Sequence, residues 1–136
     1  MREITDVLLG GVMALESGAF RAGQVARRLL SEHPELTVRR ATCSAYSHAD
    51  TWDPPTCTPT LDLRADGLDG VRAWALVLGA EVKPDMRGGP YVYESGDCEA
   101  EVDGVLVRVT GSRKLTDDEA AAWRNQQTEA AAGGEG

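Results

Sequence analysis

The chain has 136 residues and a formal net charge of −8, from 22 acidic and 14 basic side chains. This length suffices for one domain whose hydrophobic core needs no disulfide bonds, and no segment approaches the roughly 18–20 apolar residues of a membrane span. Residues 49–136 hold 17 of the acidic and only 8 of the basic side chains. Such a surface repels phosphate backbones, so broad affinity for nucleic acid is not expected.

The N-terminus and the cysteines indicate a cytoplasmic protein. Glu3 and Asp6 lie where a secretory signal would carry basic residues. Three cysteines are an odd number, which argues against a disulfide framework and favours reduced, buried thiols. The acidic surface has two interpretations: it provides solubility, or it docks to a basic partner protein or mimics nucleic acid.

The first third of the chain is predicted to be a helical hairpin over residues 1–34. Apolar residues recur at helical spacing in two stretches, separated by Ser17 and Gly18 and followed by Pro34. The two stripes consist of Ile4, Val7, Leu8, Gly11, Val12 and Leu15, and of Ala22, Val25, Ala26, Leu29 and Leu30. Glycine within a helix costs about 1 kcal/mol relative to alanine, so we expect Gly10 and Gly11 to allow two helices to approach closely.

The same region loosely resembles a DNA-binding helix-turn-helix, with residues 24–29 and 36–40 in its two helices. Under that interpretation the candidate DNA contacts are Arg27, Arg28, Arg39 and Arg40. The competing interpretation is a strand, because residues 36–46 are rich in Thr, Val and Tyr. The arginines that follow residue 36 would then lie on a solvated strand edge.

A polar, proline-rich loop is predicted over residues 47–57, between two strands at a sheet edge. Trp52 in this loop is either a lid over the core or an exposed contact for a partner protein. A zinc-like set of ligands could also form here, from Cys43, His48 and Cys57 with Asp50 or Asp53. Their spacing lacks the Cys-x2-Cys pairs of specific zinc motifs, so neither a metal nor another cofactor is predicted.

A strand over residues 60–64 and an amphipathic helix over residues 68–78 come next. The apolar stripe of the helix consists of Val71, Trp74, Ala75 and Leu78. Asp69 is the predicted N-cap and Gly79 the predicted left-handed residue after the helix. The place of Trp74 in the stripe favours packing in the core over stacking on a ligand.

Asp103 and Gly104 predict a β-hairpin with a two-residue type I′ turn. The turn fixes a register in which one face carries Cys98, Ala100, Val102, Val105, Val107 and Val109. That face should be buried, because a slip of one residue would expose the valines. On the other face Glu99 lies opposite Arg108 as a cross-strand ion pair.

The last element is predicted to be a helix over residues 116–131, with residues 133–136 disordered. Thr116 as N-cap and Glu119 three residues later form a capping box. Trp123 is the only large apolar residue of this helix. It either anchors the helix to the sheet or forms the base of a partner-binding helix.

Two resemblances involve the central helix. Residues 66–75 read Asp-Gly-Leu-Asp-Gly-Val-Arg-Ala-Trp-Ala and residues 78–82 read Leu-Gly-Ala-Glu-Val. This segment resembles a motif in small proteins of actinobacteria and their phages, which implies a phage or mobile-element origin and no particular activity. With its flanking strands it is also similar to one βαβββ module of the glyoxalase and vicinal-oxygen-chelate fold. That family binds metal through His and Glu on its strands. Residues 60–64 contain no histidine and the later strands have none, so its metal chemistry is not implied.

The predicted fold is α+β, with a mostly antiparallel sheet of four or five strands, helices packed on one face and a C-terminal helix. A single domain is predicted over residues 1–132. No catalytic residue is predicted, because the sequence lacks the nucleotide-binding glycine motifs and the nucleophile elbow. The predicted function is that of a non-enzymatic accessory protein that contacts a partner protein or itself. The alternatives are a DNA-binding regulator that uses the N-terminal helices, and a small-molecule-binding or enzymatic module that uses the hollow of a curved sheet.

Overall fold

The computed structural model describes residues 2–48 and 56–134. The elements in chain order are α1 (Arg2–Glu32), β1 (Val38–His48), β2 (Thr56–Ala65), α2 (Gly67–Leu78), β3 (Lys83–Arg87), β4 (Tyr93–Val102), β5 (Val105–Lys114) and α3 (Asp117–Gly134). The predicted α+β class is confirmed, since three helices accompany a five-stranded, mostly antiparallel sheet and the last element is a helix.

The strands lie in the order β1-β2-β5-β4-β3. Three of the four pairings are antiparallel, and β2 with β5 is parallel. Thus β5, the last strand in the chain, lies at the centre of the sheet, and β1 and β3 are the two edge strands.

Helices α1 and α2 pack on the same face of the sheet and bury the main core with it. The side chains of Trp74, Val105, Val107 and Val109 are fully buried in this core. This confirms the prediction that the valine face of the hairpin lies beneath the helix that contains Trp74. We call the opposite face, which carries no helix among the described residues, the open face of the sheet.

The hairpin of β4 and β5 has the predicted register, with Val102 opposite Val105 and Cys98 opposite Val109. Asp103 and Gly104 have φ angles of 49° and 78°, the positive values that a type I′ turn requires. On the open face Arg108 Nη2 lies 2.7 Å from a carboxylate oxygen of Glu99, as predicted.

The predicted helical hairpin is wrong, because α1 runs without a break from Arg2 to Glu32. Gly18, the predicted breaker, is buried where the helix approaches the β1–β2 pair. A Cβ atom there would overlap the sulfur of Cys57 and lie 3.7 Å from the Cβ of Ala45. The glycine therefore serves close packing, which overrides its low helix propensity.

Two further local predictions need correction. Gly11 is buried on α1 against β1, where its carbonyl oxygen accepts a 2.6 Å hydrogen bond from Ser47 Oγ, so it approaches a strand and not a second helix. Helix α2 begins at Gly67 with Asp66 at the N-cap, and Asp69 lies in the first turn. Gly79 has the predicted left-handed conformation, with φ of 64°.

Helix α3 begins at the predicted capping box. Glu119 N donates to Thr116 Oγ1 at 3.2 Å, and Thr116 N donates to Glu119 Oε1 at 3.1 Å. The helix extends to Gly134, so the prediction that disorder begins at residue 133 is wrong for residues 133 and 134. Residues 135 and 136 lie outside the described part of the chain.

Candidate functional site

Helix α1 carries large apolar side chains on the side turned away from the sheet. Leu9, Met13 and Phe20 are exposed by 53%, 67% and 69%. Their spacing of four and seven residues places them along one face of the helix. The buried residues Gly18 and Val25 lie on the opposite face, since each residue advances the helix by about 100°. We call Leu9, Met13 and Phe20 the outer face of α1.

A groove of about 490 Å³ adjoins the outer face at Phe20. Its walls are Phe20, Gly23, Gln24, Arg27, Arg28 and Ser31. A Cβ atom on Gly23 would have no neighbour within 4 Å, so contacts within the chain do not require a glycine there. Gly23 lies one turn after Phe20 and leaves a notch beside the exposed ring.

The charged residues beside the outer face of α1 differ in sign before and after Phe20. Asp6 and Glu16 lie near Leu9 and Met13, whereas Arg27 and Arg28 follow Phe20. Arg28 forms an ion pair with Asp103 at the β4–β5 turn. The outer face therefore combines an apolar row with acidic residues beside Leu9 and Met13 and basic residues after Phe20.

The two predicted partner contacts have different positions. Trp52 lies outside the described residues. Trp123 is half-buried and packs against a second, smaller core that contains Val92, Leu115 and Ala120. Its ring would lie 3.3 Å from a Cβ on Gly88. This contact fits the anchoring interpretation of Trp123.

The four predicted DNA contacts do not form a helix-turn-helix. Arg27 and Arg28 belong to α1, whereas Arg39 and Arg40 belong to β1. That arrangement is wrong because residues 38–48 pair with β2 as a strand, the alternative that their composition favoured. Arg39 Nη2 lies 2.9 Å from Asp66 Oδ1.

The cysteines near the predicted loop do not converge. Cys57 is the cross-strand neighbour of Ser47, which lies four residues from Cys43, so about 13 Å of strand separates the two cysteines. Asp50 and Asp53 lie outside the described residues. Within residues 2–48 and 56–134, no group of three His, Cys, Asp or Glu side chains is placed to hold a metal ion.

The thiols also differ in environment. Cys43 is exposed and Cys57 is half-buried, so the prediction of buried thiols holds only for Cys98. Burial, followed by the charges of Asp97 and Glu99, raises the pKa of the Cys98 thiol. A neutral, buried thiol is a weak nucleophile, so Cys98 packs in the core and does not form a reactive centre.

The open face of the sheet contains a hollow of about 380 Å³ at its centre. Its charged and hydroxyl side chains are Arg64, Asp85, Arg87, Ser95, Asp97, Arg108, Thr110 and Ser112. Arg108 is held by Glu99, and Arg87 by Asp85 at 3.1 Å. The hollow is polar and much of its charge is internally paired, unlike the mainly apolar pockets that bind small molecules.

No protein-family model matches the chain, and no curated protein or solved structure matches it at a significant level. The resemblances to actinobacterial proteins and to the glyoxalase fold therefore stay predictions. No helix within the described ranges is both long and apolar enough to cross a membrane.

The outer face of α1 was not found from the sequence, although the sequence contains a signal for it. Leu9, Met13 and Phe20 fall outside the two predicted core stripes. A helix that packs on one sheet needs one apolar stripe, so a second row of large apolar residues indicates a second contact.

Proposed function

We propose that this chain is a non-enzymatic accessory protein of the cytoplasm that binds a partner protein through the outer face of α1. The observation that carries the proposal is the row of exposed large apolar side chains at Leu9, Met13 and Phe20. Scattered exposed apolar residues are normal on a protein surface, but aligned ones mark interaction sites.

The geometry fits recognition of an amphipathic helix by an apolar groove of the partner. Such grooves take anchors spaced by three, four and seven residues from one helix face. Phe20 provides a rigid aromatic anchor and Met13 an adaptable one. The notch at Gly23 leaves room beside Phe20 for a side chain of the partner.

The charges indicate what should surround such a groove. Asp6 and Glu16 favour basic residues on the partner, at the end of the partner's groove that receives Leu9. Arg27 favours acidic residues at the other end. Charge complementarity of this kind fixes the orientation of a bound helix and speeds association.

The proposal is tested by capture from a lysate of the source cells, with quantitative mass spectrometry of the bound proteins. We expect a Met13→Ser, Phe20→Ser double variant to capture at least about tenfold less of its specific partner than the wild type, because it removes two of the three anchors. Leu76→Ser is the matched control, since Leu76 is a highly exposed apolar residue on α2. Equal capture by all three proteins would contradict the proposal.

A second variant separates binding from folding. Gly23→Ala should stabilise the free protein by about 0.5–1 kcal/mol, because alanine is the better helix former and its Cβ meets open space. The same methyl group fills the notch beside Phe20, so capture of the partner should fall. A more stable variant with unchanged capture would show that the notch is not used.

A further inference from the structure

Within residues 2–48 and 56–134, no strand or helix covers the outer edge of β1. This strand has 11 residues and pairs with β2 on one side only. Residues 41–47 carry small or polar side chains without a charge. Long edge strands are usually protected by charged side chains, proline or bulges, because their unpaired backbone groups accept another strand. Between residues 41 and 47, β1 has none of these protections among the described features.

Helix α1 continues the same edge in the layer above the sheet. Leu8, Val12 and Leu15 are exposed by 52%, 49% and 38%, and Ala19 is exposed as well. Their spacing of four, three and four residues forms a stripe that no charge interrupts. We call these four residues the flank of α1.

The contacts of α1 show which way the flank faces. Cys43 Sγ lies 3.9 Å from the carbonyl oxygen of Ala22, so α1 runs over β1. On its other side, Arg28 pairs with Asp103, and Arg21 Nη1 lies 3.2 Å from the Cβ position of Gly104. The side toward the β4–β5 turn is therefore opposite the flank. The flank points outward beyond β1, above its free edge.

We propose that a second copy of this chain covers this edge, with β1 paired antiparallel to β1 of the other copy and the flank of each α1 packed against the C-terminal half of the other α1. The spacing of the layers supports a second copy. The Cβ position of Gly18 lies beside both Ala45 on β1 and Cys57 on β2, so α1 lies above the middle of that strand pair. With strands about 4.8 Å apart, the two α1 axes would lie about 9.6 Å apart, within the 8–10 Å of packed helices.

The charges and the area also fit. Centring the pairing on Cys43 sets Arg40 of each copy beside Tyr46 of the other on the open face. Tyr46 is exposed, and Arg40 has no carboxylate partner among the described residues, so a cation–π contact forms without like charges meeting. The edge is about 36 Å long, and it consists of two layers, the sheet and α1, that are each about 10 Å thick. The resulting area of roughly 720 Å² is close to the ~800 Å² per partner of a stable interface.

The test is the mass of the full chain by sedimentation equilibrium at roughly 1–200 µM, a range that spans typical dissociation constants. We expect twice the chain mass of 14.5 kDa at the upper concentrations. Ala19→Arg and Cys43→Lys place a charge inside the proposed interface and should weaken self-association roughly a hundredfold. Their circular dichroism should be unchanged, since both positions are exposed. Leu76→Arg, on α2, is the control and should still dimerise.

A short bifunctional thiol reagent gives an independent measure, because the proposed centre brings the two exposed Cys43 side chains together. Cross-linked dimer should form with the wild type and disappear with Cys43→Ser. A chain that stays monomeric at all concentrations, or a dimer that both charge variants leave intact, would overturn the proposal. This dimer is separate from partner binding: Phe20→Ser should keep the dimer and lose the partner, and Ala19→Arg should do the reverse.

Discussion

Gly111 and Gly23 lie in opposite surroundings, and the same substitution should affect them in opposite directions. A Cβ on Gly111 would overlap the carbonyl oxygen of Gly67 and lie 2.9 Å from Val71 Cγ2. Gly111→Ala must therefore push α2 away from β5, which we expect to destabilise the fold by about 1–3 kcal/mol. Urea unfolding of Gly111→Ala beside Gly23→Ala measures both effects. Equal stability of the two variants would contradict this account of the α2–β5 contact.

Glu119 makes the stability of α3 depend on pH. Its bidentate hydrogen bonds from Arg113, followed by those with Thr116, lower its pKa from 4.5 to about 2. A lowered folded-state pKa contributes stability that is complete above the unfolded value, near 4.5, and is lost as the pH falls toward 2. We expect the tryptophan fluorescence, to which Trp123 contributes, to change across that window as α3 loosens.

Glu119→Gln is the matched variant, because it keeps the shape of the side chain and removes its titration. The pH dependence between 4.5 and 2 should become flatter in this variant. A fluorescence transition of unchanged size would assign the effect to another carboxylate.

At the scale of single residues, the sequence predicts those features whose cause is local. Three confirmed features depend on neighbouring residues only. They are the turn at Asp103 and Gly104, the left-handed conformation of Gly79 and the capping box of Thr116 and Glu119. Gly18 and Gly111 could not be interpreted in this way. The elements that approach them lie 39 and 44 residues away in the chain, at Cys57 and Gly67.

The same distinction applies to whole elements. Ser17 and Gly18 have low helix propensity, and propensity alone predicts a break. Packing against two strands stabilises the whole length of α1 and overrides that preference. For β1, the β-branched and aromatic composition was the better guide, because the strand is decided by pairing with β2 over ten residues.

Helix α3 should be able to detach without unfolding the rest of the protein. It is attached mainly through Trp123, Leu115 and Ala120, in a core separate from the one around Trp74. We expect Trp123→Ala to increase hydrogen exchange throughout residues 117–131 and to leave the protection of β5 near that of the wild type. Trp74→Ala is the contrasting variant and should destabilise the whole fold by about 3–5 kcal/mol.

Global unfolding of Trp123→Ala would show that the two cores are one cooperative unit. Unchanged exchange in residues 117–131 would show instead that Trp123 does not anchor α3, which would favour the alternative in which it contacts a partner.

At the scale of the molecule, the sequence indicated the class of the fold but not the order of its strands. Hairpin pairing of β4 with β5 follows from a two-residue turn, whereas the parallel pairing of β2 with β5 joins strands 40 residues apart and has no local signal. The outer face of α1 depends on that order as well. Only when α1 lies over β1 and β2 does the side that carries Phe20 become the exposed one.

The distribution of charge over the molecule leads to a prediction about nucleic acid. Arginines 28, 39, 87, 108 and 113 each lie within ion-pair distance of a carboxylate, and a paired guanidinium gains less from a phosphate. The chain has a net charge of −8. At low salt the Debye length exceeds the distance between the two charges of each ion pair, so the net charge acts at longer range than the pairs and should repel duplex DNA. We therefore expect no retention on a DNA column at about 50 mM salt, where phosphate contacts are strong.

Arg27→Gln and Arg40→Gln are the informative variants for this measurement. Neither arginine has a carboxylate partner among the described residues, so they are the best placed of the four predicted contacts to bind a phosphate. The DNA-binding alternative is supported if the wild type is retained and each change lowers the slope of the logarithm of retention against the logarithm of salt concentration by about one. The DNA contacts would then lie on α1 and β1. If all three proteins flow through together, the DNA-binding alternative is contradicted, as expected for a chain with a net charge of −8.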